Sequence, residues 1–284
     1  MRARLSLLTL LLFTTCAPLC AQEPAYRTDG GNEKLPWYQL QPGVFPPAGS
    51  AHAISGELIG VDHINRQGVL RQDRTGAQRT DEYDRALPFS LLPYGSITYH
   101  GAPAELRDIP IGTHLHGQFY VEQQRNKQVF SKVLKLQDDF SFMTAAKRQW
   151  RIESIDKNTL IVRGEGPAAD QKDERPTTFQ IRPATRVWKG RGIGALSDLA
   201  VGQAVLMNLT VCTLKGPGRV TDIWIDDESR AVATALQLEQ HRLFQREHGL
   251  ACRVDEVDNQ NKLVTVTVFG GIDPELLNEF RVNQ

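Results

Sequence analysis

Neither sign of charge is in excess in this 284-residue chain, where 33 lysines and arginines balance 33 aspartates and glutamates. A chain without a net positive field is not expected to hold a polyanion over a broad surface, so nucleic acid is not an expected partner. Long apolar runs are also missing. Beyond the first residues nothing approaches the roughly 18 consecutive apolar residues of a spanning helix, and no transmembrane segment is expected in the mature chain. No Gly-x-Ser-x-Gly, His-Glu-x-x-His or Cys/His nucleophile arrangement occurs anywhere, so the chain reads as non-catalytic and without a cofactor. Apolar content of 40% and charged content of 23% are ordinary for a globular protein and exclude wholesale disorder.

What is present begins at the N-terminus. Arg2 and Arg4 precede an apolar and hydroxyl run from Leu5 to Phe13, and small residues follow up to Ala21. That order is the one of a secretory signal over residues 1–21, cut after Ala21, and it places the mature protein in the periplasm or outside the cell. Removing it takes away Cys16 and Cys20 and leaves Cys212 and Cys252 of the four cysteines, a disulfide candidate in an oxidising compartment. Residues 22–50 carry Gly30-Gly31, Pro36, Pro42-Gly43, Pro46-Pro47 and Gly49-Ser50, breakers dense enough to read as an extended arm. Trp37, Tyr38 and Phe45 are its candidate anchors.

An internal repeat organises the rest. Phe89-Ser90-Leu91-Leu92-Pro93 matches Phe179-Gln180-Ile181-Arg182-Pro183 at an offset of 90, and the same offset pairs Leu106 with Leu196, Asp108 with Asp198 and Gly112 with Gly202. Asp138-Asp139 in turn parallels Asp226-Asp227. Each copy reads as short alternating strands: in the second, a hairpin around Lys157-Asn158, then strands over 177–181, 203–211 and 219–225. The expected fold is mainly β, with two tandem small five-stranded OB-like barrels, repeat 1 over 51–137 and repeat 2 over 150–226, joined by a linker at 138–149. Residues 227–249 change to helical spacing, with Val232, Leu236, Leu243 and Phe244 as the apolar face, Asp227 as cap and Gly249 as stop. Residues 250–284 begin a third copy that supplies one β-hairpin and a short helix. Its Val254, Val257, Leu263, Val264, Val266 and Val268 are expected to join the sheet of copy two or pack under the long helix, with strand exchange between chains as the other solution.

Gly56-Glu57-Leu58-Ile59-Gly60-Val61-Asp62, the Phe89 to Pro93 motif and Ile111-Gly112-Thr113 resemble the small periplasmic copper/silver chaperone barrels of the CusF-like family. The second copy resembles them through Ile155-Asp156, the Phe179 to Pro183 motif and Leu199 to Gly202. The resemblance implies the barrel. It does not imply that family's soft metal site, because Arg85 and Leu87 in copy one, and Arg175 and Thr177 in copy two, stand where the family has methionines, and Glu82 and Lys172 stand at the tryptophan position.

Five residues form the candidate binding face. His114 and His116 alternate on a strand and share a side, and their neighbours Leu115, Gly117 and Phe119 match the apolar set Val205, Met207 and Leu209, so the histidines point away from their own barrel core. The pair reads as exposed or as part of an interface; it could hold a divalent metal, although no metal site is assigned. Tyr94, Tyr99 and His100, with Gly95 and Gly101, make an aromatic loop at the place where such a barrel would receive a ligand. Asp138-Asp139 and Asp226-Asp227 read as helix caps. Lys189 to Gly194 reads as a flexible loop, and Asn208-Leu209-Thr210 is a glycosylation sequon inside a strand. These features together describe an exported binding or scaffolding module whose partner is a protein or a cell-envelope polymer. The alternative is a periplasmic divalent-metal-binding protein using the His pair.

Overall fold

The computed structural model describes residues 38–41, 44–74, 84–124, 127–167, 175–211, 218–250, 252–268 and 272. The signal segment, Trp37, the 75–82 excursion, Cys212 and most of the segment after residue 268 lie outside them.

Copy one closes into a barrel. Its strands are β1 (His52–Asp62), β2 (Gln67–Gln72), β3 (Ala86–Tyr99), the short β4 (Ala102–Ala104), β5 (His114–Gln124) and β6 (Lys127–Asp138). Antiparallel pairing runs from β3 through β2 and β1 to β5 and β6, and a parallel β3–β6 pair closes the ring, with β4 appended to β3 as a hairpin. Period-2 alternation supplies the core: Leu58, Leu70, Phe89, Leu115, Phe119, Val133 and Leu136 point inward and are buried. Gly117 belongs to the same inward set. A Cβ there would lie 2.3 Å from the Phe119 ring, so its place in the barrel wall is filled by its neighbour.

Copy two repeats the plan with β7 (Gln149–Asp156), β8 (Thr159–Glu165), β9 (Thr177–Gln180), β10 (Arg186–Lys189), β11 (Gly192–Gly194), β12 (Ala204–Thr210) and β13 (Gly218–Trp224). Here the long third strand is split into β9 and β10, both parallel to β13. Ile152, Leu160, Val162, Val205, Met207 and Ile223 fill this barrel. The matched segments Leu106–Asp108 and Leu196–Asp198 are both single 3-10 turns, each closed by its aspartate accepting from the amide three residues back.

The supposed loop 189–194 is instead the hairpin β10–β11, in register with β3–β4 at the offset of 90, Trp188 facing Ile193 as Thr98 faces Pro103. Two glycines in a strand of three residues hid it from any periodicity argument. The backbone amide of residue 100 in one turn and of Gly190 in the other both donate to a helix-capping aspartate, Asp138 and Asp226 respectively.

Those aspartates open α1 (Asp139–Ala145) and α2 (Asp227–His248), accepting from Ser141 N and Ser229 N. The cap is therefore the first aspartate of each pair, so Asp226 rather than Asp227 caps the long helix. The face that α2 buries also differs from expectation. Leu236 and Leu243 are exposed, while Gln237, His241 and Gln245 are buried. The helix lies on a polar surface: Thr234 Oγ1 donates to the His100 carbonyl, Gln237 to the Pro103 carbonyl and Asp108, and Gln240 to Asp108. Buried amides are stable there because each finds an acceptor.

The C-terminal hairpin, β14 (Cys252–Asp258) with β15 (Leu263–Val268), forms a sheet of its own. It joins neither the sheet of copy two nor the underside of α2, and Val254, Val257, Leu263, Val264 and Val266 stay exposed. The arm does anchor on barrel one: Tyr38 and Leu40 exchange backbone hydrogen bonds with Val121, Tyr38 packs edge-on to Tyr120, and Phe45 meets Tyr94.

Candidate functional site

The two barrels meet across Asp138 and Asp139. Asp138, fully buried, accepts from the amides of His100 and Ser141 and from Asn208 Nδ2, the last at 2.9 Å from the second barrel. Burial pushes its carboxyl up, opposed by His100 and by the hydrogen bonds of Ser141 and Asn208. Asn208 uses its other end to accept from Phe140 N at 2.9 Å, so the sequon asparagine is buried and satisfied rather than available for glycosylation.

Asp139 is not a cap. Its Oδ2 accepts from Leu209 N at 3.0 Å, and its Oδ1 accepts from His114 Nδ1 at 2.8 Å and His116 Nε2 at 2.9 Å. The histidines do point away from their own barrel core, and of the two expected settings they occupy the interface rather than solvent. Helix α1 lies over that face, leaving His114 at 3% exposure and His116 half-buried, stacked at 4.0 Å on Phe142. His114 Nε2 donates to Asp73 Oδ2 at 2.8 Å. With a carboxylate on each nitrogen the ring carries both protons. Burial disfavours that charge, yet Asp139 and Asp73 together hold the His114 pKa up to about 10. Burial likewise works against the Asp139 anion, and the two histidines overcome it and hold the carboxyl well below its usual range. In the sequence Asp139 reads only as part of a capping pair, and the repeat gave it no other role: its equivalent Asp227 is solvent-exposed.

The aromatic candidates separate. Tyr94 faces a groove of about 510 Å³ between the arm, barrel one and the hairpin, with Phe45, Leu92 and Arg253. Tyr99 and His100 line a second cavity of about 240 Å³, whose other walls are Trp188, Trp224 and the α2 face carrying Gln237 and Gln240. Trp188 and Trp224 were not anticipated; a signal existed only for Trp188, which the offset of 90 makes the equivalent of Thr98 in the matching hairpin of copy two. Tyr99 and His100 stack at 3.8 Å, and Trp224 stands edge-on to His100 at 5.0 Å. Trp188 Nε1 donates to Asp222, which also holds Arg186. His100 adopts φ +51°, the left-handed conformation that copy two fills with Gly190 at φ +56°. A side chain there costs about 1–2 kcal/mol. Burial pushes the imidazole pKa down, so the ring is neutral near pH 7; its Nε2 is buried, makes no hydrogen bond and lies 4.0 Å from Asp138. Cys252 is exposed and free at the start of β14, and its expected partner Cys212 lies outside the described residues.

Strand order and closure define a chain of two tandem OB-like barrels. No family model and no curated protein matches the chain. Among solved structures, CusF from Escherichia coli, in a Cu(II) form of a tryptophan-to-alanine variant and in an Ag(I) form, is 15% identical with a TM-score of 0.21, covering 30% of this chain and 85% of that chain. The Drosophila Unr fragment CSD456 is 14% identical with a TM-score of 0.20 and covers 62% of each chain. The barrel assignment rests on strand order and register rather than on these matches. Among the described residues no helix is long and apolar enough to cross a membrane.

Proposed function

We propose that this chain is an exported, non-catalytic binding protein that seats a protein segment or a cell-envelope polymer in the cleft between its two barrels. The observation that carries the reading is the composition of that cleft. Three aromatic side chains, the His100 imidazole and the side chains of Gln237 and Gln240 line it together, most of them carried on strands of both barrels and on α2. Apolar rings with a few convergent polar groups are the usual makeup of a binding pocket, and strands and helices hold it more firmly than loops would. A volume of about 240 Å³ suits one ring or one side chain of a longer ligand. Export rests on the three-part pattern of residues 1–21.

Two of the cleft walls are tryptophans, so occupancy changes intrinsic fluorescence. Titration of the mature protein with soluble envelope glycan fragments and with a peptide library is expected to give a saturable change for one of the two classes. Trp188→Ala, at a half-buried indole, is expected to weaken it by about tenfold to a hundredfold, the range of a central aromatic contact. Binding that is unchanged by Trp188→Ala, or no binding in either class, contradicts the reading.

A further inference from the structure

We propose that His114 Nδ1, His116 Nε2 and Asp139 Oδ1 form a three-ligand site for one divalent transition-metal cation, zinc by chemical preference, at the junction of the barrels. The three atoms lie within 4.8 Å of one another, and two residues of one strand supply two of them. Each ligand is also anchored on its far side. His114 Nε2 is held by Asp73 Oδ2 at 2.8 Å, His116 Nδ1 by Ser55 Oγ at 3.0 Å, and Asp139 Oδ2 by Leu209 N at 3.0 Å. An imidazole whose outer nitrogen is fixed by a carboxylate or hydroxyl is the arrangement that orients histidine ligands around zinc, and the ion would take the place of the protons that the two inner nitrogens share with Asp139 Oδ1, so that uptake releases protons. Phe142, stacked on His116, fixes the plane of that ring.

The donor set also selects the ion. Two imidazole nitrogens and one carboxylate oxygen suit zinc and its neighbours in the first row, whereas Cu(I) asks for soft sulfur and magnesium or calcium for oxygen alone. Bonds of about 2.0–2.1 Å would set the ligand atoms roughly 3.3 Å apart. To admit it, the nitrogen–oxygen separations of 2.8 and 2.9 Å open by about half an ångström, and the ligand atoms, which span up to 4.8 Å, draw together toward the same spacing by turns of the imidazole rings. Three protein ligands leave a fourth position for water, which enters over His116, whose side chain is 22% exposed against 4% for His114. Because Asp139 reaches Leu209 of the second barrel, the ion would fasten one barrel to the other. This site is separate from the aromatic cleft and does not rest on its function.

The mature protein, stripped with chelator and dialysed, is titrated calorimetrically with Zn(II) chloride alone, and its Co(II) absorption spectrum is recorded. Expected are one ion per chain, a Co(II) spectrum without a thiolate band, and a melting midpoint raised by roughly 5–10 °C when free zinc is a hundredfold above Kd. His116→Gln should weaken binding at least about tenfold through loss of a ligand, and Asp73→Asn, a positioning change, by about 10–100-fold. His63→Gln, at an exposed turn, and Trp188→Ala in the cleft should leave it unchanged. Should His116→Gln fail to keep its circular dichroism and melting profile, Asp73→Asn decides. No zinc uptake at sub-millimolar concentration, binding undiminished in both site variants, or binding that follows Cys252→Ser would overturn the proposal.

Discussion

Asp139→Asn is an isosteric change that keeps the volume of α1's first residue and removes one charge from a buried cluster. In the native protein that carboxylate accepts from His114, His116 and Leu209 N. The amide can still accept on one oxygen, but its NH2 faces a donor, and His114 is left charged beside Asp73 alone. Removing one partner of a buried, hydrogen-bonded ion pair costs about 3–5 kcal/mol, most of it from the charge left behind. The repeat supplies the control. Asp227 occupies the equivalent position with a 99% exposed side chain, so Asp227→Asn should stay within about 0.5 kcal/mol. Urea denaturation followed by tryptophan fluorescence, in chelator, measures both. The same cluster sets a pH dependence. His114, raised to about 10 from the ordinary 6.5, contributes fully below pH 6.5 and loses its contribution as pH climbs toward 10. Asp139, held down from the ordinary 3.8, contributes above that pH and loses its contribution as pH falls. Stability should therefore decline between pH 6.5 and 10 by roughly 1.4 kcal/mol per pH unit, and Asp139→Asn should flatten that slope. A loss below about 1 kcal/mol for Asp139→Asn, or an unaltered slope, would refute the assignment of the junction to this cluster.

Two further outcomes follow from the packing. Truncation after Gly249 removes a hairpin that contributes no strand to either barrel, so the melting profiles of both barrels should persist, and a lowered transition in copy two would contradict the strand pairing. Gly117→Ala places a methyl 2.3 Å from the Phe119 ring and 3.0 Å from Leu136, and differential scanning calorimetry should show a loss of about 1–3 kcal/mol from overpacking.

Most of the fold was legible in the sequence because alternation and repeat offset report on each barrel's own core. Leu115, Phe119, Val205 and Met207 alternate inward as their spacing demands. The same spacing says which way His114 and His116 point relative to their barrel, and nothing about what lies on that side. Helix α1 lies there, which makes the pair part of a buried junction rather than a solvent face and puts Asp139 at its centre. The long helix is a second case. Its apolar spacing was real, but the surface it meets presents the His100 and Pro103 carbonyls and Asp108, so glutamines rather than leucines were buried. Periodicity counts apolar side chains and is blind to a partner surface made of backbone. Of the site, Tyr94, Tyr99 and His100 read as an aromatic loop, but Tyr94 and Tyr99 lie in strand β3 and only His100 is in the turn after it, whereas Trp188 and Trp224 join Tyr99 and His100 only through the docking of two barrels.

The most direct test of the binding cleft uses three of the four tryptophans as reporters. With the indole nitrogens labelled with 15N, addition of the ligand that saturates the fluorescence change should shift the Trp188 and Trp224 side-chain resonances, assigned by single substitution. Trp150, which packs on Phe179 outside the cleft, should not move. Shifts confined to Trp150, or saturation with Trp188 and Trp224 unmoved, would contradict a ligand seated between the barrels.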